Sequence, residues 1–268
     1  MPLTFQETVQ VLWNRPLGSA YFHMGIRTDE GYGASVPGQF VMLRLGHRKS
    51  PLLRRPFSIH RLVTRNGRVV GIELLYKVVG EGTKILSSCR EGDRLDMLGP
   101  LGNGFSVSDT HGAIFLAAGG IGIAPLLFLS DDLLKKGFDL TRTTLFLGGK
   151  SKADLLCKEI FAEMGMTVTT TTDDGSEGDQ CYVTQPLETA VNRRAPDVIY
   201  ACGPIAMLKC VVGIAEQHSI PCQISMETTM ACGIGVCLGC AVEPSGDDRK
   251  YLHACRDGPV FHADRIAM

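Results

Sequence analysis

The sequence predicts an all-β half joined to an α/β half. We expect an N-terminal antiparallel β-barrel over residues 1–100, a doubly wound parallel sheet over 101–225, and a small cysteine segment over 226–268. Three observations carry this. Short strand-like runs, punctuated by turn residues, fill the first hundred positions. Apolar runs then alternate with helical patterns, and four of the ten cysteines crowd into the final stretch.

In the first part, alternating or β-branched runs occur at Thr8–Trp13, Tyr21–Arg27, Gln39–Leu45, Phe57–Leu62, Val69–Val78 and Arg94–Leu98. Gly, Pro and charged turns separate them, the pattern of a small barrel or sandwich. Only Gly82–Ser88 reads as a helix there. From about residue 101 the rhythm changes to strand, then helix. Ala113–Ala118 precedes Ala124–Lys136, and Thr143–Gly149 precedes Ala153–Gly165. Thr167–Thr172 precedes Pro186–Arg194, and Asp197–Cys202 precedes Ile205–Gln217. Such alternation predicts a parallel sheet with helices on both faces. Gly137, after Lys135 and Lys136, is placed to end its helix, and Gln223–Met226 is a last strand leading to the cysteines.

Composition narrows the function classes. Formal net charge is −1, with a pI near 6.6, which gives no electrostatic case for nucleic acid or an anionic membrane surface. The start has no basic stretch followed by an apolar core, so no signal peptide is read. Gly112–Leu129 runs 18 residues without a charge, near the length of a membrane span. Gly119, Gly120, Gly122 and Pro125 interrupt it, which fits a strand, a turn and a helix start. A cytosolic protein is expected, and in that compartment ten cysteines do not imply a disulfide framework. Cys89, Cys157, Cys181, Cys202, Cys210 and Cys222 are scattered and read as small buried apolar residues.

The other four, Cys232, Cys237, Cys240 and Cys255, are a motif. The x4, x2 spacing with a distal fourth cysteine is the plant-type [2Fe–2S] pattern. Three ligands must come from one tight turn, and Gly233, Gly235 and Gly239 let backbone N–H groups face the sulfurs. The competing reading is a structural zinc site, usually built from C-x2-C pairs, of which only one occurs here. Fourteen residues separate Cys240 from Cys255, too few for a full ferredoxin domain.

Gly119-Gly120-Ile121-Gly122-Ile123-Ala124-Pro125 follows an apolar strand and opens a helix, where a pyrophosphate can meet the helix N-terminus. It is not a strict G-x-G-x-x-G fingerprint, and alone it could be a tight connection. Cys202-Gly203-Pro204 closes a later strand, so both loops should line one crevice at the carboxyl ends of the parallel strands. In the first half, Arg55-Pro56-Phe57-Ser58 offers a guanidinium for a flavin diphosphate and a hydroxyl for a flavin ring. Gly80-Glu81-Gly82-Thr83 offers glycines and a hydroxyl for a phosphate. Each of these taken singly could be a surface turn. The histidines show no paired ligand spacing, and Trp13 reads as core.

The order RPFS, GEGT, GPLGNGF, GGIGIAP, ACGP and four cysteines resembles the ferredoxin-reductase superfamily. Within it, the similarity spans nearly the whole chain to the electron-transfer subunits of class B dihydroorotate dehydrogenases. Met230–Cys240, Thr172–Ser176 and Cys255–Val260 are its most diagnostic pieces. The relay subunits of ferredoxin–NADP transhydrogenases and sulfide dehydrogenases share the layout, with aspartate often at the position of Cys232. The resemblance implies FAD held by Arg55, Pro56, Phe57 and Ser58, flanked by Leu75, Tyr76 and Lys77, with Gly82 and Thr83 at its phosphate. NAD is implied at Gly120, Ile121, Gly122, Ala124, Pro125, Cys202, Gly203 and Pro204. A [2Fe–2S] cluster on Cys232, Cys237, Cys240 and Cys255 would connect FAD with FMN on a separate catalytic subunit, in a heterotetramer. Hydride transfer moves two electrons and the cluster carries one, so a flavin must stand between nicotinamide and cluster. A colourless, zinc-bound regulatory protein is the alternative from another class.

Overall fold

The computed structural model describes residues 4–18, 20–28, 30–45, 51–246 and 250–268. Its first strands are β1 (Phe5–Pro16), β2 (Tyr21–Arg27), β3 (Phe40–Arg44), β4 (Arg55–Ser58), β5 (Arg61–Arg65), β6 (Arg68–Lys77) and β7 (Arg94–Leu101). They form one antiparallel sheet in the order β4-β3-β7-β1-β2-β6-β5. The two outermost strands, β4 and β5, are consecutive in the chain, joined by Ile59 and His60 alone. That link spans on the order of 10 Å, so the sheet must curl until its edges meet. The link itself laces the seam: Ile59 N–H donates to Gln39 O at 3.0 Å, and His60 N–H to Glu73 O at 2.8 Å. This crossing is also why Phe57–Leu62, one run in the sequence, is two strands. Inside the barrel, Val11, Met24, Val41, Ile72 and Met97 pack together, and helix α1 (Glu81–Ser87) adds Leu86 to that core.

The second sheet contains β8 (Ile114–Gly119), β9 (Thr143–Gly149), β10 (Thr167–Thr172), β11 (Val198–Cys202) and β12 (Cys222–Ser225), all parallel, in the order β10-β9-β8-β11-β12. Helices α2 (Ile123–Lys135) and α3 (Lys158–Glu163) cover one face, where Leu116, Leu145 and Tyr200 meet Leu126 and Phe161. Helices α4 (Thr184–Arg193) and α5 (Ile205–Gln217) cover the other, where Phe146 and Ile199 meet Leu187 and Leu208. Strands buried on both faces read as continuous apolar runs, hence IFLAA and VIYAC. Gly137 ends α2 at φ +82°, with its N–H on Leu134 O and that of Phe138 on Leu133 O, both at 3.0 Å. The run Ala153–Gly165 is not one helix. Asp154 turns inward from a 3-10 turn (Lys152–Asp154), Cys157 adopts φ +61°, and α3 begins only at Lys158. Gly112–Leu129 is the expected strand, glycine turn and helix, and among the described residues no helix is long and apolar enough to cross a membrane.

Several contacts dock barrel to sheet. Phe128 of α2 reaches the barrel core. Arg61 donates to both oxygens of Asp131 on α2, at 2.6 and 2.8 Å. The connection after β7 is pinned to β12 by buried Gln223, whose amide accepts from Ser106 N–H at 2.9 Å and donates to Ser106 O at 2.7 Å. The cysteine segment carries the short strands β13 (Ala241–Val242) and β14 (Leu252–His253), and then β15 (Val260–His262), which pairs antiparallel with β12. The whole segment is thus an excursion between two hydrogen-bonded neighbours of one sheet. Strands of two or three residues carry no periodicity, which is why the sequence does not announce them.

Candidate functional site

Between the barrel and the carboxyl ends of the parallel strands lies a cleft of about 1010 Å³. Every residue singled out above for FAD or NAD lines it: Arg55 to Ser58, Leu75 to Lys77, Gly82 and Thr83, Gly120 to Gly122, Ala124 and Pro125, and Cys202 to Pro204. The two glycine loops do more than face each other. A Cβ on Gly122 would stand 2.1 Å from Cys202 O, and one on Gly203 would stand 2.9 Å from Gly119 N. Backbone lies on backbone there, a packing that only glycine permits. On the barrel side, a Cβ on Gly82 would be 3.6 Å from Arg55 Nε, so the two phosphate candidates adjoin although far apart in sequence.

Several of these groups are already committed. Thr83 Oγ1 accepts the amides of Val79 and Gly80, at 2.9 and 3.1 Å, and closes the turn before α1. Arg55 Nη1 donates to Leu53 O at 2.8 Å, and Lys77 Nζ to Asp154 at 3.0 Å. Burial pushes the Cys202 thiol up to about 12, so it stays protonated. Of the six scattered cysteines expected to be buried, Cys222 is; Cys89, Cys157, Cys181 and Cys202 are half-buried, and Cys210 is exposed and lines the cleft. Trp13 is half-buried against Gly25 and His23.

Other lining residues were not foreseen. Tyr21, Asp154, Asp173, Tyr182, Glu227 and Thr228 all face the cleft. Tyr182 is 72% exposed, a large aromatic with no packing reason to be there, and that exposure has no local sequence signal. Thr228 Oγ1 is buried and has no protein partner, a polar atom on the cleft wall that a bound ring system with hydrogen-bonding edges would satisfy.

The cysteine loop packs behind the same strands. A Cβ on Gly233, at φ +76°, would meet Met42 Cγ at 2.6 Å. Met42 pairs in register with Pro56, so loop and cleft share β3 and β4. The sulfurs of Cys240 and Cys255 are 3.2 Å apart, and Gly235 N–H donates to Cys255 at 3.1 Å. Ile234 and Cys237 amides donate to Cys232 Sγ, each at 3.5 Å. Burial opposes its thiolate, but those amides, the Cys237 thiol and the Val236 amide bring it down to about 6. Burial and the adjacent Cys240 thiol push Cys255 up. Among the described residues no three metal-binding side chains converge on one point. Thiols adjoin in two pairs, Cys240 with Cys255 and Cys232 with Cys237. Two irons need two thiolates each, and four thiols on one loop with amides facing the sulfurs fit a [2Fe–2S] cluster.

Comparison with known proteins agrees. Residues 227–267 match the iron-sulfur cluster binding domain of dihydroorotate dehydrogenase B, and residues 116–213 an oxidoreductase NAD-binding domain. The dihydroorotate dehydrogenase B (NAD(+)) electron transfer subunit of Desulforamulus reducens is 41% identical over 228 residues, 85% of each chain. That of Listeria innocua is 40% identical over 266 residues, 98% of this chain and 99% of its own. A chain of the NADH-dependent reduced ferredoxin-NADP oxidoreductase superposes with TM-score 0.83 at 30% identity, over 96% of this chain and 89% of that one. A ferredoxin NADP+ reductase from Neisseria gonorrhoeae, solved with FAD and NADP, shares the fold at 17% identity and TM-score 0.66, over 80% of this chain and 91% of that one. With near-complete coverage at such identities, and a paired-thiol loop set behind a flavin-sized cleft, the chain belongs to the family of electron transfer subunits of dihydroorotate dehydrogenase B.

Proposed function

We propose that this chain is the electron relay of a dihydroorotate-oxidising complex in pyrimidine biosynthesis. It works in the cytosol and links an FMN-containing catalytic subunit to NAD within a heterotetramer. The observation that carries the reading is the common backing of cleft and cysteine loop by β3 and β4. FAD, when bound, supplies the conversion between hydride transfer and the one-electron steps of a [2Fe–2S] cluster.

The residues divide the work. Arg55 and the Gly80–Thr83 turn hold the diphosphate, Pro56, Phe57 and Ser58 the ring, and Leu75, Tyr76 and the backbone of Lys77 its flank, the Lys77 ammonium being turned to Asp154. Gly120 to Pro125 and Cys202 to Pro204 seat the dinucleotide, their glycines letting it approach the backbone. Cys232, Cys237, Cys240 and Cys255 hold the cluster, and the amides of Ile234, Gly235 and Cys237 stabilise its sulfurs. Ile234, Val236 and Leu238, 50%, 75% and 57% exposed on the cluster loop, form the face offered to the catalytic subunit.

Replacing Cys237 by Ser tests this division. Stopped-flow reduction of bound FAD by NADH should persist, while transfer to the dihydroorotate-oxidising subunit is lost. Equal loss of both would refute it. The likeness to the ferredoxin-NADP oxidoreductase chain supports a second reading, a relay in that kind of complex. The subunit that co-purifies, and whether dihydroorotate reduces the assembled complex, separates the two.

A further inference from the structure

A carboxylate buried where two sheets meet requires partners. Asp154 is 8% exposed and stands in the 3-10 turn after β9. Its Oδ2 accepts the amides of Lys150 and Ser151, at 3.1 and 3.2 Å, and so shapes the loop leaving β9. Its Oδ1 accepts from the Tyr21 hydroxyl and from Lys77 Nζ, the latter at 3.0 Å. Tyr21 and Lys77 are cross-strand partners on β2 and β6, and the ammonium lies 4.8 Å from the centre of the Tyr21 ring. A pair on the barrel therefore grips one carboxylate of the parallel sheet.

The grip extends into the cleft. Asp173 N–H donates to Gly149 O at 3.0 Å and Asp174 N–H to Lys150 O at 3.2 Å, fastening the end of β10 to the same loop. The Tyr21 hydroxyl also lies 3.9 Å from where a side chain on Gly120 would begin. Gly120, Gly149, Lys150 and Asp173 all line the cleft on its parallel-sheet side. Burial disfavours the Asp154 carboxylate, but Tyr21, Lys77 and the Ser151 amide together hold it below the usual range. Charge-assisted bonds of this kind are short and directional, and misplacing reactants by about 1 Å can cost on the order of a hundredfold in rate.

We propose that Tyr21 and Lys77, acting through Asp154, are positioning residues. They set the dinucleotide half of the cleft against the flavin half, and so govern how NADH is held rather than how FAD is held. This rests on the reading of the cleft as a joint flavin and dinucleotide site. It also gives the Lys77 ammonium a role distinct from anchoring FAD.

The test uses the full chain loaded with FAD and cluster, as wild type, Lys77→Met, Lys77→Arg and the near-isosteric Tyr21→Phe. FAD content and the flavin circular dichroism are measured first. Flavin reduction is then followed by stopped flow across NADH concentrations. Lys77→Met should retain FAD at the wild-type ratio while its half-saturating NADH rises about tenfold, roughly 1.4 kcal/mol. Tyr21→Phe should move the same way by less, and Lys77→Arg should recover most of the affinity. If Lys77→Met loses FAD while its flavin-loaded fraction saturates like wild type, Lys77 is a flavin anchor and the proposal falls. It falls also if neither Lys77→Met nor Tyr21→Phe shifts the saturation curve. A wild-type protein that binds FAD yet is not reduced by NADH would overturn the relay reading itself, and this inference with it.

Discussion

His60 is 3% exposed, and its Nδ1 lies 2.9 Å from Ala124 O. A carbonyl only accepts, so Nδ1 carries the proton and the neutral ring ties the barrel seam to the first turn of α2. Burial depresses the ring from 6.5 to about 4, with His23 and Arg61 adding to it and the Ala124 carbonyl and Glu73 opposing. The unfolded chain binds a proton near pH 6.5 and the folded chain refuses it until about 4. Stability from this residue is therefore complete above about 6.5 and is lost as pH falls toward 4, at about 1.4 kcal/mol per unit. Urea midpoints should fall more steeply across that window in wild type than in His60→Asn. Equal slopes would show that His60 does not titrate this way.

At the scale of elements, the contact between the loop after β8 and the loop after β11 decides whether the cleft forms. In Gly122→Ala the new methyl meets the Cys202 carbonyl, and the loops must part. We expect a loss of about 2–3 kcal/mol in thermal unfolding, with FAD bound but NADH reduction much slower; an unchanged melting temperature would contradict the close packing. Elements whose cause is local were legible. Glycine loops, the Gly137 helix end and the doubly buried strands all show in composition and period. β3 illustrates the mechanism: Val41 and Leu43 face the barrel core while Phe40 and Met42 face the cysteine segment, so FVML has no polar alternation. What escaped has distant causes. Nothing near Asp154 in sequence says that Tyr21 and Lys77 will pull it out of a helix. Nothing near Thr228 says that it will line a cleft begun on another sheet.

At the scale of the molecule, barrel and sheet are joined by Phe128, the Arg61–Asp131 pair, the His60–Ala124 bond and the Tyr21–Lys77–Asp154 grip. Four contacts spread over the junction resist relative rotation more than one patch would. The return of β15 to β12 has a consequence of its own. Ser225 and Met226, which wall the cleft, are bonded to Val260 and Pro259 on the far side of the cysteine excursion. The excursion leaves and re-enters the sheet between two paired strands, so iron that orders the loop would also order the sheet rim beside it, since binding energy in such a loop is also ordering energy. Stripping the iron anaerobically should therefore speed amide exchange first at Phe261 and His262 and at the pocket wall beside them, leaving β8 and β9 protected. Metal occupancy would then be felt at the cleft wall mechanically, apart from any electron the cluster passes.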